Sequence, residues 1–375
     1  MTRPAKFILL ACCLLIAALT AQAAPGQPQT GLLGAPLLGY DTATGDRIAL
    51  VDLATGMQRD LRFGGRLHKL WGFSPDGCRL LLTLGEGDAP PRLYSARLDG
   101  SDLTDLAAFE PGYGAWDAEW NPNPAEDRIA FTLFTTQDDG DGVPDHRVAW
   151  VSAAGGESPV PYSVAGDEHT PRWSADGRWL VYTAFVPRED NPNVREADLW
   201  RVSADGTQKF RVTDFPQGSV HSPRWSPNGE LIGFIYSPSP NNDQFWMVGA
   251  QEGAFPTQLS YEPVLTMDYA WLADSTAMVA AARNMQGIVD TRLWQIPLVG
   301  NADADARLYP VPPDMIYPYA PRFSADGALL AARSAYAVGV IETATGALTL
   351  LPDSLGNTTP YFAPAAFQGE AGCSG

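Results

Sequence analysis

From residue 39 onward the chain is written in short apolar runs, about four to eight residues long, cut by turn dipeptides, and no helical periodicity competes with them. The stretch around Trp173 gives the grammar. Residues 171–174 read as a short strand, and Asp176-Gly177 as a two-residue turn able to take the positive φ that tight hairpins demand. Residues 178–183 follow as a second strand that is apolar on both faces, which a strand needs only when neighbours cover both. Residues 198–203 make a third, Asp205-Gly206 the next turn, and residues 208–213 a polar outer edge. Similar turns stand at Asp76-Gly77 with Asp99-Gly100, at Asn228-Gly229, and at Asp326-Gly327 with Thr345-Gly346. The pattern predicts an all-β chain.

The unit repeats. PRWSADGRWLVYTA around Trp173 returns as PRWSPNGELIGFIYS around Trp225 and PRFSADGALLAARS around Phe323, with weaker copies around Phe73, Trp120 and Trp271. These six aromatic anchors stand roughly 46 to 53 residues apart, the length of a four-stranded propeller blade. Residues 47–52 and 57–61 read as a third and fourth strand with no inner half before them, and residues 359–367 as an inner half with no outer one after it. Pairing the two fragments gives a composite closing blade and leaves no open sheet edge. The expectation is a seven-bladed β-propeller over 39–368; six blades, with the terminal segments outside the ring, is the alternative.

The PxWSPDG-type phrase followed by an apolar strand, and the later Leu199-Trp200-Arg201-Val202-Ser203-Ala204-Asp205-Gly206, resemble the repeat of TolB-like propellers over roughly residues 61–352. The resemblance implies the fold. It implies less about activity, because the family spans a translocation protein that binds partner proteins, the propeller domains of prolyl-oligopeptidase-like peptidases, and sugar lyases. The sequence departs from the family in showing no separate N-terminal domain and no α/β-hydrolase domain. With no GxSxG nucleophile elbow anywhere, a complete serine peptidase is not expected.

The first two dozen residues break the strand pattern. Arg3 and Lys6 precede an apolar run over 7–19 that ends in Ala21-Gln22-Ala23, the layout of a secretory signal peptide over 1–23. That run is shorter than the roughly 18 residues of a membrane span. The expectation is a secreted or periplasmic chain with no membrane insertion, a linker over 24–38 and a tail over 369–375. Reading Leu9-Leu10-Ala11-Cys12 as a lipoprotein box would leave only residues 7–10 as hydrophobic core, against a usual minimum of about seven.

Charge narrows the partners. With 43 acidic against 25 basic residues the net charge is −18, and loss of Arg3 and Lys6 makes the balance more acidic still. Such a surface repels nucleic acid and anionic lipid. Cys78 and Cys373 remain after the leader is removed, and in an oxidising compartment they are expected to form a disulfide, clamping the first blade to the tail that leaves the composite blade.

Candidate chemistry lies where each inner strand enters one mouth of the central channel. Four residues before each anchor stand Lys69, Trp116, His169, His221, Met267 and Tyr319, and one position further on stand Asp117 and Asp268. Asp117, His169, His221, Asp268 and Tyr319 form the candidate ligand-binding set. His and Asp from successive blades could hold a metal or supply an acid/base pair, as the sugar lyases similar to this chain do; the plainer account is a polar residue copied by duplication. Arg172, Arg224 and Arg322 share the position before the anchor. They can present a guanidinium ring to a carboxylate ligand, or stack and pair to fix their blades. The tryptophans, repeated at blade interfaces, are expected in the core.

Residues 137–145 carry the sharpest local motif. Gln137, Asp139, Asp141 and Asp145 place side-chain oxygens at positions one, three, five and nine of a calcium loop, Val143 would offer a backbone carbonyl, and Gly142 permits the turn. Position twelve lacks its usual glutamate. One calcium ion is the expected cofactor, against a plain acidic hairpin loop. The functional expectation is a monomeric, non-catalytic binding or scaffold module for a protein or cell-envelope ligand. The alternative is a metal-dependent carbohydrate lyase or hydrolase working through His169, His221 and Asp117 or Asp268.

Overall fold

The computed structural model describes residues 31–42, 44–64, 66–136, 145–162, 167–187, 195–262, 264–351, 353–354 and 358–373. The expected signal peptide, Cys12, and the expected calcium-loop positions Gln137, Asp139, Asp141 and Val143 lie outside them. Among the described residues the chain forms seven four-stranded antiparallel units, one short helix (Ala302–Asp305) and one 3-10 turn (Glu370–Gly372).

The third unit runs Asp167–Trp173, Trp179–Pro187, Arg195–Ser203 and Lys209–Arg211, from inner to outer strand. The inner strands of the first, second, fourth, fifth and sixth units are Arg66–Phe73, Tyr113–Trp120, Ser219–Trp225, Leu265–Trp271 and Tyr319–Phe323. The seventh joins the two ends of the chain in the order Tyr361–Phe362, Leu37–Asp41, Ile48–Asp52, Gln58–Leu61. Its division corrects the sequence reading: the N-terminal segment supplies three strands and the C-terminal one only a single strand. The expected linker over 24–38 takes in the first two residues of the strand Leu37–Asp41, yet all five residues of that strand are buried.

The core lies between blades rather than within one sheet. Leu81 and Leu93 of the first blade pack with Ile129 and Phe131 of the second. Leu37 and Leu50 of the seventh meet Leu80 and Leu82 of the first. On its other side the seventh puts Tyr40 and Ala49 against Ala331 and Val340 of the sixth, so the ring closes. Second strands are covered on both faces, which explains why they lack alternation: in Ala277–Arg283 all but the last residue are buried. The anchor tryptophans add a directional latch. The indole N–H of Trp173, Trp225 and Trp271 donates to the carbonyl of Glu119, Arg172 and Arg224, each in the preceding blade, at 3.3, 3.0 and 3.1 Å.

The Ser-x-Asp-Gly turns follow from side-chain chemistry. Ser174 Oγ donates to Asp176 Oδ1 (2.6 Å) and accepts from Trp179 N–H (3.0 Å), while Gly177 takes φ +68°. A Cβ on Gly177 would collide with Asn121 Oδ1 and meet Asn123 Cβ at 2.8 Å in the neighbouring blade. Gly177→Ala is therefore expected to lower stability by about 1 to 2 kcal/mol through strain at positive φ, read as a shift of the urea midpoint. An unchanged midpoint would show that the turn can move away from Asn121.

The segment after Phe367 is built into the ring. Cys373 is disulfide-bonded to Cys78, with Cα atoms 5.5 Å apart. Glu370 accepts from Leu33 N–H (2.9 Å) and Arg59 Nη1 (2.6 Å), which ties together three stretches of chain distant in sequence.

Candidate binding site at the ring axis

Inner strands share a defect. Register shifts fall between Trp116 and Glu119, His169 and Arg172, His221 and Arg224, Thr266 and Asp268, and Tyr319 and Arg322. Within four of these breaks Asp117, Thr170, Ser222 and Ala320 adopt φ of 50°, 53°, 56° and 51°. Non-glycine residues seldom take such angles, and bulges of this kind re-aim side chains beside functional sites. Proline follows Thr170, Ser222 and Ala320, and a break in the ladder is where a residue without an N–H is tolerated.

Past the breaks, charged groups from several blades meet. Arg224 Nη2 donates to Asp268 Oδ1 (2.9 Å) and Arg322 Nη1 to Asp268 Oδ2 (2.8 Å), so one carboxylate bridges the fourth, fifth and sixth blades. Burial alone would push the Asp268 carboxyl up, but the Arg224 and Arg322 guanidiniums and the Tyr269 N–H reverse this and hold it at about 2. Arg172 approaches Asp117 at 4.0 Å. Arg224 also lies over the Tyr269 ring, 5.6 Å from its centroid. Two of the three repeat-position arginines thus serve the structural use foreseen for them.

Glu119 accepts from Trp173 N–H (2.8 Å), and burial raises its carboxyl above the usual range although Arg172 pulls the other way. Tyr361 of the seventh blade is pushed up to about 12 by burial, against the pull of Arg322, Arg172 and Arg224. These groups keep some access to water, with 24% of the Arg224 side chain and 18% of Asp268 still exposed. Arg224 Nε has no hydrogen-bond partner.

Before the breaks the structure makes a second cluster. Asp167 and His169, two apart on one strand, share a face; Asp167 Oδ1 lies 2.5 Å from His169 Nε2 and 2.9 Å from His146 Nδ1. Between them Glu168 takes the opposite face, where it accepts from Val148 N–H (3.1 Å) and Lys209 Nζ (3.2 Å). The imidazoles belong to an aromatic row: Phe134, Trp116, His146, His169 and Phe185 follow with successive ring centroids 4.3, 5.2, 4.5 and 5.6 Å apart.

The other sequence candidates lie elsewhere. His221 bonds to Ser222 Oγ (3.1 Å) and Ser237 Oγ (3.2 Å), and Tyr319 lies under the Arg333 guanidinium at 4.3 Å. Asp145, position nine of the calcium loop, has its carboxylate held by Arg147 Nε (2.9 Å) and Nη2 (2.7 Å). His146, Asp167, Glu119 and Tyr361 escaped the sequence reading. Comparing the residues where neighbouring blades pair, rather than only those counted back from the anchors, would have raised the first two.

No family model matches the chain. Among curated proteins it is 26% identical over 183 residues to YuxL, an uncharacterized peptidase of Bacillus subtilis (strain 168), with 48% of this chain and 26% of the relative matched. It is also 26% identical over 148 residues to an uncharacterized protein of Agrobacterium fabrum (strain C58), with 37% and 47% matched. The matched stretch thus spans about a quarter of the first relative and about half of the second. Among solved structures, TolB from Acinetobacter baumannii superposes with a TM-score of 0.51 at 14% identity, over 89% of this chain and 69% of that one. The fold is that of a TolB-like propeller. Oligogalacturonate lyase from Vibrio parahaemolyticus gives 0.56 at 13% identity over 77% and 80%. A puromycin-hydrolyzing peptidase of Mycobacterium tuberculosis gives 0.59 at 16% over 84% and 52%. TolB, a lyase and a peptidase share this scaffold, so function must be argued from the site.

Proposed function

We propose that the chain is a secreted or periplasmic, monomeric binding propeller that captures a protein or cell-envelope ligand through a carboxylate held at the ring axis. The observation that supports this reading is the meeting of Arg224 and Arg322 at one partly water-accessible carboxylate in a protein otherwise acidic, with Arg172 at the same repeat position of the blade before them. Asp268 occupies two of the guanidiniums on one side only. Arg172 spends Nη1 on the neighbouring Pro171 carbonyl (2.6 Å) and keeps Nη2 at long range from Asp117, which leaves it the freest to form a fork with an incoming carboxylate. Of the acid/base set considered for a carbohydrate lyase, Asp268 lies between two arginines and His221 is bonded to serines.

Capture from the native envelope fraction tests this. The wild-type chain is expected to retain a ligand that Arg172→Gln binds at least about tenfold less well, since a charged hydrogen bond contributes about 1.5 to 3 kcal/mol. Equal capture by the variant would remove the axis from the binding reaction. For the loop over 137–145 we propose one calcium ion, bound at about 10⁻⁴ to 10⁻³ M because position one is neutral and position twelve lacks its glutamate. Calorimetric titration of chelator-treated protein should show its heat, and Asp141→Ala should abolish it. No heat at millimolar calcium would end that proposal.

A further inference from the structure

We infer that His146, Asp167 and His169 form a binding site for one divalent transition-metal ion at the seam between the second and third blades. Among the described residues this is the only cluster of three or more such side chains whose donor atoms all lie within 4.8 Å of one another. The donor set is two imidazole nitrogens and one carboxylate oxygen. Imidazole suits zinc, copper, nickel and ferrous iron better than calcium or magnesium, which take oxygen. Three protein ligands also leave coordination positions open to water or to a ligand's oxygen.

The architecture explains how the three residues meet. Asp167 and His169 project from the same face of one strand because side chains alternate with period two. His146 begins the third strand of the second blade, His146–Ser152, and that strand pairs in parallel with Asp167–Trp173 at a single register point, His146 opposite Asp167. The carboxylate and the imidazole therefore come together across the seam. Trp116 stacks on His146 and Phe185 abuts the edge of His169, which fixes both ring planes without using their nitrogens.

The repeat supplies an internal control. The next seam has the same construction, with Ala197 opposite Ser219 at its parallel register point and His221 two residues beyond. Duplication of a polar residue accounts for His169 and His221 alike. It does not account for His146 and Asp167, whose counterparts Ala197 and Ser219 are small and shape no donor set. The second-to-third seam alone of the two carries the full set, so its extra ligands answer to something other than blade construction.

The experiment uses the full chain, stripped with chelator and dialysed, and titrated with Co²⁺ while its visible absorption is followed; Zn²⁺ is then added as competitor. The inference expects a band that saturates at one equivalent and is displaced by Zn²⁺ but not by Ca²⁺. His169→Ala and His146→Gln should each weaken binding by at least about 100-fold, the upper end of what even outer-shell losses cause, and His221→Ala should leave it unchanged. Glutamine at 146 can still donate to Asp167, so that variant keeps the seam hydrogen-bonded if the alanine variant fails to fold. No band at submillimolar Co²⁺, or a band untouched in both His169→Ala and His146→Gln, would overturn the inference.

Discussion

Replacing Asp268 by alanine is expected to destabilise the ring by about 3 kcal/mol, read as a lowered urea midpoint with an unchanged slope. The carboxylate is bonded to both Arg224 and Arg322, which lie on different blades. Without it two guanidiniums face each other in a partly dehydrated space, and removing one partner of such a pair leaves uncompensated charge. The figure is set at the low end for a buried pair because axis water still reaches these groups. A loss below about 1 kcal/mol would mean that this water solvates the arginines unaided.

The same carboxylate gives a pH signature. Its folded value of about 2 lies below the ordinary unfolded value near 3.9. The stabilisation is therefore fully present above about pH 4 and is lost as pH falls toward 2. The distance between the two values corresponds to about 2.5 kcal/mol. Wild type and Asp268→Ala should accordingly converge in stability on acidification through this window. A gap that stays constant down to about pH 2 would assign the mutant's loss to packing.

Removing the bridge between Cys78 and Cys373, by reduction or by Cys373→Ser, is expected to lower stability by about 4 kcal/mol. The loop it closes spans 295 residues, and the denatured-chain freedom removed by a cross-link grows with the logarithm of that length. The bridge also holds the segment on which Glu370 meets Leu33 and Arg59, so its loss releases the closing seam first. Free-thiol titration of denatured, unreduced protein should find none. Two equivalents, or a melting temperature indifferent to reductant, would refute the clamp.

Much of this was legible because the code is local. Asp-Gly and Asn-Gly turns, doubly apolar second strands and spaced anchors each report on a few neighbouring residues, and together they specify blades. The site was less legible because it is made across blades. The inner strand of the third blade was expected over 171–174, since Pro171 and the irregularity before it mask the strand that begins at Asp167. That shortened reading hid Asp167. His146 stands at the start of a third strand, which the count back from each anchor never samples, and its meeting with Asp167 depends on one register point between blades. Asp268 was singled out, but its pairing with arginines 44 and 54 residues away is a property of ring curvature. Sequence separation carries no trace of that.

The three-plus-one seventh blade sets an order of assembly. Leu37–Asp41 is among the first strands to be synthesised, yet its inner neighbour Tyr361–Phe362 is the last strand made. The six intervening blades can be complete in sequence while this first strand still presents an unpaired edge. Until the sixth blade is made, the apolar face of Leu38 and Tyr40, finally packed against it, has no permanent cover. A chain stopped a few residues short of 361 would hold nearly all of its strands and still be an open arc, exposed to the edge-to-edge association that a finished ring avoids.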